Sequence, residues 1–379
     1  MNKKIVIGYY TGSNPLDKKS WSGTHYSFYS QLEKNGFNVT NLSPVIYSKN
    51  YHRLLSLYYK IHSLFSNKVI DEEHTFLKSI FSKIYFDKII KAKKIDVIFA
   101  PAASTQIALL KTKIPIIYLS DTSFAQIKDY YNNQKNTSWL SLKQADYIEK
   151  KALTNASKII YPSNWAKDFT VNYYKVKADK VVETTLGSNI EIPESLPIKN
   201  FDNQIVFLFL AVEWERKGGD IVYETLKNLK IKGYNVKLKV IGCKPPYEDD
   251  FIEYVGFLNK NITKENNLLK EILIQSHFLF VPSRAECYGI VFSEASAYGI
   301  INISTKTGGI PSVVKNNING FILNEEAGVN EYEKLIIELL DDKNRMKILS
   351  ESSFIYYKEK LNWNNFIERF SSICNELVK

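Results

Sequence analysis

Two glutamates, Glu286 and Glu294, stand eight positions apart in the segment VPSRAECYGIVFSEASAYG. The apolar run FLFVPS before them predicts a buried strand, and Gly289 predicts a loop that leads into a helix near Ile290. Backbone N–H groups at such a loop and helix start favour phosphate and sugar oxygens. Glu294, about one turn into the helix, is placed to accept hydrogen bonds from two neighbouring hydroxyls such as those of a ribose. Glu286, in the loop, is placed to accept hydrogen bonds from the hydroxyls of a second polyol. The alternative is one helix-start charge and one solvated carboxylate.

A second group of residues suited to chemistry is the basic turn within AVEWERKGGDIVYETL at 211–226. A strand ends there, and Arg216 and Lys217, followed by two glycines, open the next helix. Two cations beside a helix N-terminus form an anion site, and the planar fork of Arg216 can clamp a diphosphate. The alternative is a basic turn on the protein surface.

Two further candidates lie in the first half of the chain. Gly23 follows Trp21 in the loop after the first strand and precedes a helix, where a glycine lets the backbone approach a ligand closely. Asp121 follows the strand IIYLS and is suited either to contact a sugar or acceptor hydroxyl or to cap the next segment. His25 is suited to line a cleft or to make an ordinary polar contact.

The elements that must position these residues alternate between strand and helix, and the alternation runs through the chain twice. Near-continuous apolar strands such as KKIVIGYY, IPIIYLSD and QIVFLFLAV predict α/β domains with parallel sheets covered on both faces. The proline-bearing stretch NIEIPESLPIKNFDNQ predicts a linker between them. We therefore expect domains at 1–195 and 204–354 that face a central cleft, with 355–379 as a C-terminal helical segment that crosses back to the first domain and packs Trp363, Phe366 and Phe370.

The segment around the two glutamates resembles the E-x7-E signature of the retaining glycosyltransferases of family 4, which have the GT-B fold of two Rossmann-like domains. The resemblance implies that the domain at 1–195 binds the acceptor and that the domain at 204–354 binds the nucleotide-sugar donor. The resemblance implies that Glu286 contacts hydroxyls of the donor sugar and that Glu294 binds the ribose of the nucleotide. It also places three backbone amides near the sugar and phosphates, those of Tyr288, Gly289 and Ile290.

The basic turn is similar to the W-x-R-K-G subgroup of that family, with Arg216 adjacent to Lys217 and Val212 where many members have an arginine. The resemblance implies a paired cationic site for the donor diphosphate. It also implies that Gly23 approaches the donor phosphates. Many members have a histidine where Ser120 and Asp121 stand here, so Asp121 joins Glu286, Arg216 and Lys217 as a candidate catalytic residue.

The implied activity is retaining transfer of a hexose-type sugar from a UDP- or GDP-sugar to a hydroxyl of a glycan or lipid-linked acceptor. Synthesis of cell-surface polysaccharide, lipopolysaccharide or glycolipid is the expected setting. The sequence has no Asp-x-Asp motif, so we expect no metal and no cofactor besides the nucleotide-sugar co-substrate. The alternatives are a non-catalytic nucleotide-sugar-binding protein and a nucleotide-sugar hydrolase or epimerase of the same fold.

Composition narrows the setting of this activity. The 379 residues are 45% hydrophobic and 24% charged, which excludes a disordered chain. Three cysteines without a metal-ligand pattern favour a reducing compartment. No apolar run approaches the roughly 18 residues of a membrane span, and the N-terminus predicts a strand, so we expect a cytoplasmic protein.

The net charge of +10 is carried by the first half of the chain. Residues 1–200 hold 28 Lys and Arg against 16 Asp and Glu, and residues 49–94 hold ten against four. This composition suits an interfacial helix on an anionic membrane, at the inner face of the plasma membrane. The alternatives are a helix packed on the first sheet and an AT-rich genome. No nucleic-acid-binding motif accompanies the charge, so no nucleic-acid partner is expected.

Overall fold

A computed structural model describes residues 4–128, 130–131 and 136–378 of the chain. These residues form two six-stranded sheets in which every described pair of neighbouring strands is parallel, as the sequence predicts. Each sheet belongs to its own compact unit. Unit 1 comprises Met1–Thr184 with Ile367–Lys379, and unit 2 comprises Thr185–Phe366.

The sheet of unit 1 has the strand order β2-β1-β3-β4-β5-β6. Its strands are β1 (Val6–Tyr9), β2 (Asn38–Asn41), β3 (Val97–Pro101), β4 (Ile116–Leu119), β5 (Lys158–Tyr161) and β6 (Val181–Glu183). In register, Ile7 of β1 lies opposite Val39 of β2 on one side and Val97 of β3 on the other. The order reverses between β1 and β3, so their carboxyl ends form the switch point at which parallel sheets bind ligands.

Helices alternate with these strands in the described part of unit 1, and several of them start at a hydroxyl cap. Ser48, Thr75, Ser138 and Ser163 each accept a hydrogen bond from a backbone N–H three residues further on. The helices are α1 (Thr24–Lys34), α2 (Lys49–Phe65), α3 (Phe76–Ile90), α4 (Ser104–Ile107), α5 (Phe124–Ile127), α6 (Trp139–Asn155) and α7 (Asn164–Tyr174). Short 3-10 turns cover Ser20–Gly23 and Ala178–Lys180.

The sheet of unit 2 has the order β12-β11-β10-β7-β8-β9. Its strands are β7 (Ile205–Ala211), β8 (Val236–Gly242), β9 (Ile252–Gly256), β10 (Phe278–Val281), β11 (Ile301–Thr305) and β12 (Gly320–Leu323). The central strands β7 and β10 are apolar and buried because helices cover both faces of the sheet. Here the order reverses between β7 and β10, so the loops that follow these two strands flank the switch point.

Seven further helices complete the described chain. They are α8 (Gly219–Ile231), α9 (Thr263–Gln275), α10 (Ile290–Ser296), α11 (Ile310–Val313), α12 (Val329–Leu340), α13 (Lys343–Lys360) and α14 (Trp363–Leu377). Among the residues described, no helix has the length and apolar character needed to cross a membrane.

Helix α14 contributes to both units. Trp363 packs in unit 2, where its indole N–H donates to the carbonyl oxygen of Ser188 at 2.7 Å. Phe370 packs in unit 1, with ring centroids 4.9 Å from Phe99 and 5.7 Å from Phe37. Trp363, Phe366 and Phe370 are all buried, so the predicted core role of these aromatic residues is confirmed.

Candidate functional site

The loops after β7 and β10 meet at the switch point of unit 2, and the residues predicted from the sequence lie on them. The ammonium of Lys217 forms an ion pair with Oε2 of Glu286. The two side chains are only 10% and 13% exposed. The structure therefore brings together two predicted donor-site residues that are 69 positions apart in sequence.

Arg216 ties the same two loops together. One guanidinium nitrogen donates to the carbonyl oxygen of Ala285 at 2.9 Å, and the other pairs with Oε1 of Glu213 at 2.6 Å. In return, the backbone N–H of Arg284 donates to the carbonyl oxygen of Arg216 at 2.8 Å. The guanidinium is thus held at the edge of the sheet by fixed partners, with 23% of its side chain exposed.

Glycine is required where the two loops approach each other. Gly218 has φ +73°, and a Cβ there would lie 2.2 Å from the carbonyl oxygen of Pro282. A Cβ on Gly219, the first residue of α8, would lie 2.3 Å from the ring of Trp214. Gly218 therefore fixes how near the basic turn lies to the loop of Glu286, and Gly219 leaves room for the indole of Trp214 within the basic turn.

Glu294 lies on α10, which begins directly after Gly289 in a left-handed conformation. Its side chain is 1% exposed, and Oε1 accepts a hydrogen bond from the ammonium of Lys260 at 2.8 Å. Lys260 lies between β9 and α9, and it is not among the residues predicted from the sequence. Its segment, NKNITKENN, is a run of polar residues with no motif, so only the fold reveals that this lysine reaches Glu294.

The remaining predicted residues of unit 2 follow Glu286 in the loop that leads into α10. Ile290 opens α10, and the hydroxyl of Tyr288 is buried against the backbone N–H and carbonyl of Leu186. The backbone N–H of Gly309 donates to the carbonyl oxygen of Glu286 at 3.1 Å, which ties the turn between β11 and α11 to the same loop.

Electrostatics in this part of unit 2 favour an anionic ligand. Burial, and then the neighbouring charge of Arg216, lowers the pKa of Lys217. A negative ligand at this place would favour the charged ammonium. The two cations of the basic turn and the N-terminus of α8 are therefore suited to bind a phosphate group.

In unit 1 the structure brings the predicted Gly23 loop to Asp121. Trp21, Ser22 and Gly23 have φ values of +49°, +56° and +93°, three consecutive left-handed residues. The indole N–H of Trp21 donates to Oδ2 of Asp121 at 3.2 Å. Burial raises the pKa of Asp121, against the lowering effect of this hydrogen bond. A left-handed conformation costs a non-glycine residue about 1–3 kcal/mol, so this loop is strained.

His25 does not have the properties of a cleft residue. It is 1% exposed, and its Nδ1 lies 3.0 Å from the hydroxyl of Tyr9. Burial lowers its pKa to about 4, so the ring is neutral near pH 7. This is the ordinary polar contact that was one of its two predicted roles.

The predicted residues thus form two groups. Gly23 and Asp121 lie in unit 1, and the other seven lie in unit 2: Arg216, Lys217, Glu286, Tyr288, Gly289, Ile290 and Glu294. Within the described part of the chain, no three or more His, Cys, Asp and Glu side chains come together as ligands for a metal ion. Activity without a metal stays a prediction.

Two family models match consecutive parts of the chain. Glycosyltransferase Family 4 matches residues 26–184, and Glycosyl transferases group 1 matches residues 191–354. Together with the two parallel sheets, these matches define the class of the protein. The chain belongs to the glycosyltransferases of the GT-B fold.

Individual relatives agree with this class. An uncharacterized glycosyltransferase of Methanocaldococcus jannaschii, MJ1178, is 27% identical over 76% of this chain and 78% of its own length. The lipopolysaccharide 1,2-N-acetylglucosaminetransferase of Salmonella typhimurium is 25% identical over 67% of this chain and 70% of its own length. The fold is similar to that of a sucrose-phosphate synthase from Thermosynechococcus elongatus, with a TM-score of 0.70, 16% identity and 99% of each chain covered.

Proposed function

We propose that this glycosyltransferase moves a hexose-type sugar from a UDP- or GDP-sugar to a hydroxyl of a glycan or lipid-linked acceptor. The transfer retains the anomeric configuration, requires no metal ion and serves the assembly of cell-surface glycans. One observation carries the proposal: at the switch point of unit 2, the loops after β7 and β10 pair Lys217 with Glu286 and hold Arg216 on the carbonyl oxygen of the neighbouring Ala285. The similarity to a lipopolysaccharide transferase supports the acceptor class.

In this proposal the donor binds along the edge of the unit 2 sheet. Arg216 and Lys217 bind the diphosphate, Glu286 the sugar hydroxyls and Glu294 the ribose. The backbone amides of the Tyr288–Ile290 loop lie near the sugar and phosphates.

The ion pair between Lys217 and Glu286 fits an exchange of partners. A buried carboxylate and ammonium gain little net stability from each other, because both have lost water. A diphosphate offers Lys217 a more strongly charged partner, and the sugar hydroxyls offer Glu286 neutral donors. Donor binding then separates Lys217 from Glu286 without leaving either group alone.

The chemistry that follows needs little from the protein beyond position and charge. The bond between the anomeric carbon and the phosphate oxygen breaks, and the acceptor oxygen forms its bond to the same face of that carbon. The acceptor proton goes to the departing phosphate. Arg216, Lys217 and the start of α8 stabilise the negative charge that develops on the diphosphate. Gly23 and Asp121 of unit 1 are proposed to contact the donor phosphates and the sugar or acceptor hydroxyl.

Nucleotide binding tests the donor assignment. Glu294→Gln should weaken UDP or GDP binding about 10- to 100-fold, since a charge-assisted hydrogen bond is worth about 1.5–3 kcal/mol. Isothermal titration of the full chain measures this change. Lys343→Ala, which removes an exposed ion pair with Asp202 in the same unit, is the control. Equal affinity of wild type and Glu294→Gln would contradict the ribose role.

Turnover tests the enzyme assignment. The double variant Arg216→Ala with Lys217→Ala should nearly abolish donor cleavage in a panel of UDP- and GDP-sugars. Retained turnover would contradict the diphosphate role. Donor binding without any acceptor-dependent transfer would favour the alternatives, a nucleotide-sugar-binding protein or a hydrolase.

A membrane surface is proposed as a partner because of α2. This helix buries only Tyr51, while Leu64 and Phe65 at its end are 79% and 85% exposed. Leu54, Leu57 and Ile61 are each about half exposed. Apolar side chains beside lysines suit the interface of an anionic bilayer.

Vesicle flotation tests this association. The full chain should float with phosphatidylglycerol-containing vesicles and not with pure phosphatidylcholine. Leu64→Ser with Phe65→Ser should abolish flotation, as should neutralising the lysines of 83–94. Ile198→Ser, which removes a 99% exposed side chain of unit 2, is the matched control. Flotation that Leu64→Ser with Phe65→Ser leaves unchanged would contradict the role of α2.

A further inference from the structure

A cavity lies at the switch point of the unit 1 sheet. Its volume is about 420 Å³, within the range of small-ligand sites. Its wall is formed by the loops after β1, β3 and β4, by residues at the start of α3 and by Glu149 of α6. We refer to it as the unit 1 pocket.

The basic side chains that line the unit 1 pocket are each bound to a carboxylate. His74 Nδ1 lies 2.9 Å from Oδ2 of Asp71, and Lys78 Nζ lies 2.6 Å from Oε2 of Glu73. His74 and Lys78 are the basic residues among the described residues of this wall. The proposed diphosphate site differs, because there Lys217 has Arg216 and the start of α8 beside it. In the unit 1 pocket the paired His74 and Lys78 share the wall with the carboxyl groups of Glu149 and Asp121, which disfavour an anion.

Two carboxyl groups of the wall have different surroundings. Glu149 is 2% exposed, and its Oε1 accepts a hydrogen bond from the hydroxyl of Tyr118 at 3.2 Å. Asp121 accepts from the indole of Trp21. Burial raises the pKa of Glu149 to about 7 and also raises that of Asp121. For Glu149, the charge of His74 opposes this effect and that of Asp146 adds to it. With a pKa of about 7, the carboxyl of Glu149 can both donate and accept hydrogen bonds near neutral pH.

Three further features of the wall are typical of a ligand-binding site. The hydroxyl of Ser123 is buried and has no hydrogen-bond partner among the described residues. Ala102 has φ +46°, a left-handed conformation that costs a non-glycine residue energy and recurs at binding sites. A Cβ on Gly12 would lie 2.7 Å from the side-chain nitrogen of Gln106, so glycine at this position lets the Gln106 amide form part of the wall.

We propose that the unit 1 pocket binds an uncharged, hydroxyl-rich sugar unit, the end of the acceptor, and discriminates against phosphorylated and carboxylated sugars. This inference rests on the proposed function and names its acceptor. Sugar hydroxyls both donate and accept, which matches Glu149, Asp121 and the free hydroxyl of Ser123. An anion would instead lie beside buried carboxyl groups and would have to break the pair of His74 or of Lys78. The positive charge of the first half is then a property of its surface and not of this pocket.

Ligand-observed NMR on the full chain tests the inference with defined probes. Methyl α-glucoside, methyl α-galactoside and N-acetylglucosamine should give saturation transfer, and glucose 6-phosphate and glucuronate should bind at least tenfold more weakly. Gly12→Val should abolish the signal of the neutral sugars, because its side chain displaces the Gln106 amide. Glu149→Gln should narrow the difference between neutral and anionic sugars, and Glu33→Gln on the exposed face of α1 is the control.

The outcomes separate this inference from the proposed function. Anionic sugars that bind as tightly as neutral ones would overturn it, as would neutral binding that Gly12→Val leaves unchanged. Binding of UDP and GDP is measured in the same samples. A wild type that binds neither nucleotide would contradict the proposed donor site, whereas nucleotide binding without neutral-sugar binding would overturn the pocket assignment alone.

Discussion

Glu149→Gln should change how the stability of the protein depends on pH. The native pKa of Glu149, about 7, lies above the ordinary glutamate value of 4.5 because the side chain is buried. Between these values the native state binds a proton that the unfolded state releases. The stability that this proton provides is therefore present at low pH and is lost as the pH rises through 7.

The size of the effect follows from the shift. At about 1.36 kcal/mol per pKa unit, burying the charged carboxylate costs about 3 kcal/mol once the group is fully ionised. Most of this cost, about 2.5 kcal/mol, develops between pH 5 and pH 8. The glutamine side chain of the variant is neutral throughout and keeps the shape of the glutamate. Relative to wild type, the variant should therefore gain about 2–3 kcal/mol in free energy of unfolding when the pH rises from 5 to 8.

Urea unfolding of both proteins at pH 5 and pH 8 measures the difference, and hydrogen exchange in α6 reports unit 1 separately. Burial lowers the pKa of His74, but its hydrogen bond to Asp71 raises it overall, and the charge of Glu149 adds to this rise. The measured difference between the two proteins therefore includes the coupling between Glu149 and His74. Glu33→Gln, at an exposed position, controls for the loss of a carboxylate. A stability difference that does not change between the two pH values would refute the reasoning. It would also remove the electrostatic support for a pocket that prefers neutral sugars.

Three other substitutions test the packing described above. Gly218→Ala should destabilise unit 2 by several kcal/mol more than Gly233→Ala, and thermal unfolding compares the two variants. Both glycines have positive φ, but only a Cβ at Gly218 would meet a backbone carbonyl. Phe370→Ala should lower the free energy of unfolding of unit 1 by about 3–5 kcal/mol, since its buried ring packs on two others; unchanged hydrogen exchange in β3 would count against this. Lys260→Gln should cost about 3 kcal/mol by leaving the buried carboxylate of Glu294 without its ammonium, and adding Glu294→Gln should recover most of the loss.

The sequence predicted the fold class and the loops of unit 2 because these depend on local patterns. Apolar strands mark a covered parallel sheet, and glycines mark the turns that follow β7 and β10. The sequence predicts that Lys217 and Glu286 lie near the same edge of the sheet, but it does not predict their ion pair. That the two side chains bind each other depends on the tight approach of two loops, which no local pattern encodes.

Residues whose role depends on distant packing could not be predicted. Lys260 stands in a polar run, and its contact with Glu294 is set by where the loop after β9 ends. Glu149 lies on an amphipathic helix with many lysines nearby, so its sequence context resembles that of a solvated carboxylate. Its burial against Tyr118 follows from how α6 lies against β4. The edge strands β6 and β9 are likewise short and contain polar residues, so no long apolar run in the sequence marks them.

The return of the chain to unit 1 has a consequence for biosynthesis. Phe37 and Phe99 leave the ribosome early, but Phe370, which packs on both, is made only after all of unit 2. At about 5–20 residues per second, the first unit waits about 10–40 s for its last segment. Unit 2 can therefore fold while the apolar surface of unit 1 that receives Phe370 is still uncovered. Until Phe370 is made, this apolar surface is available for chaperones to bind. A fragment that ends at Thr184 keeps the surface exposed.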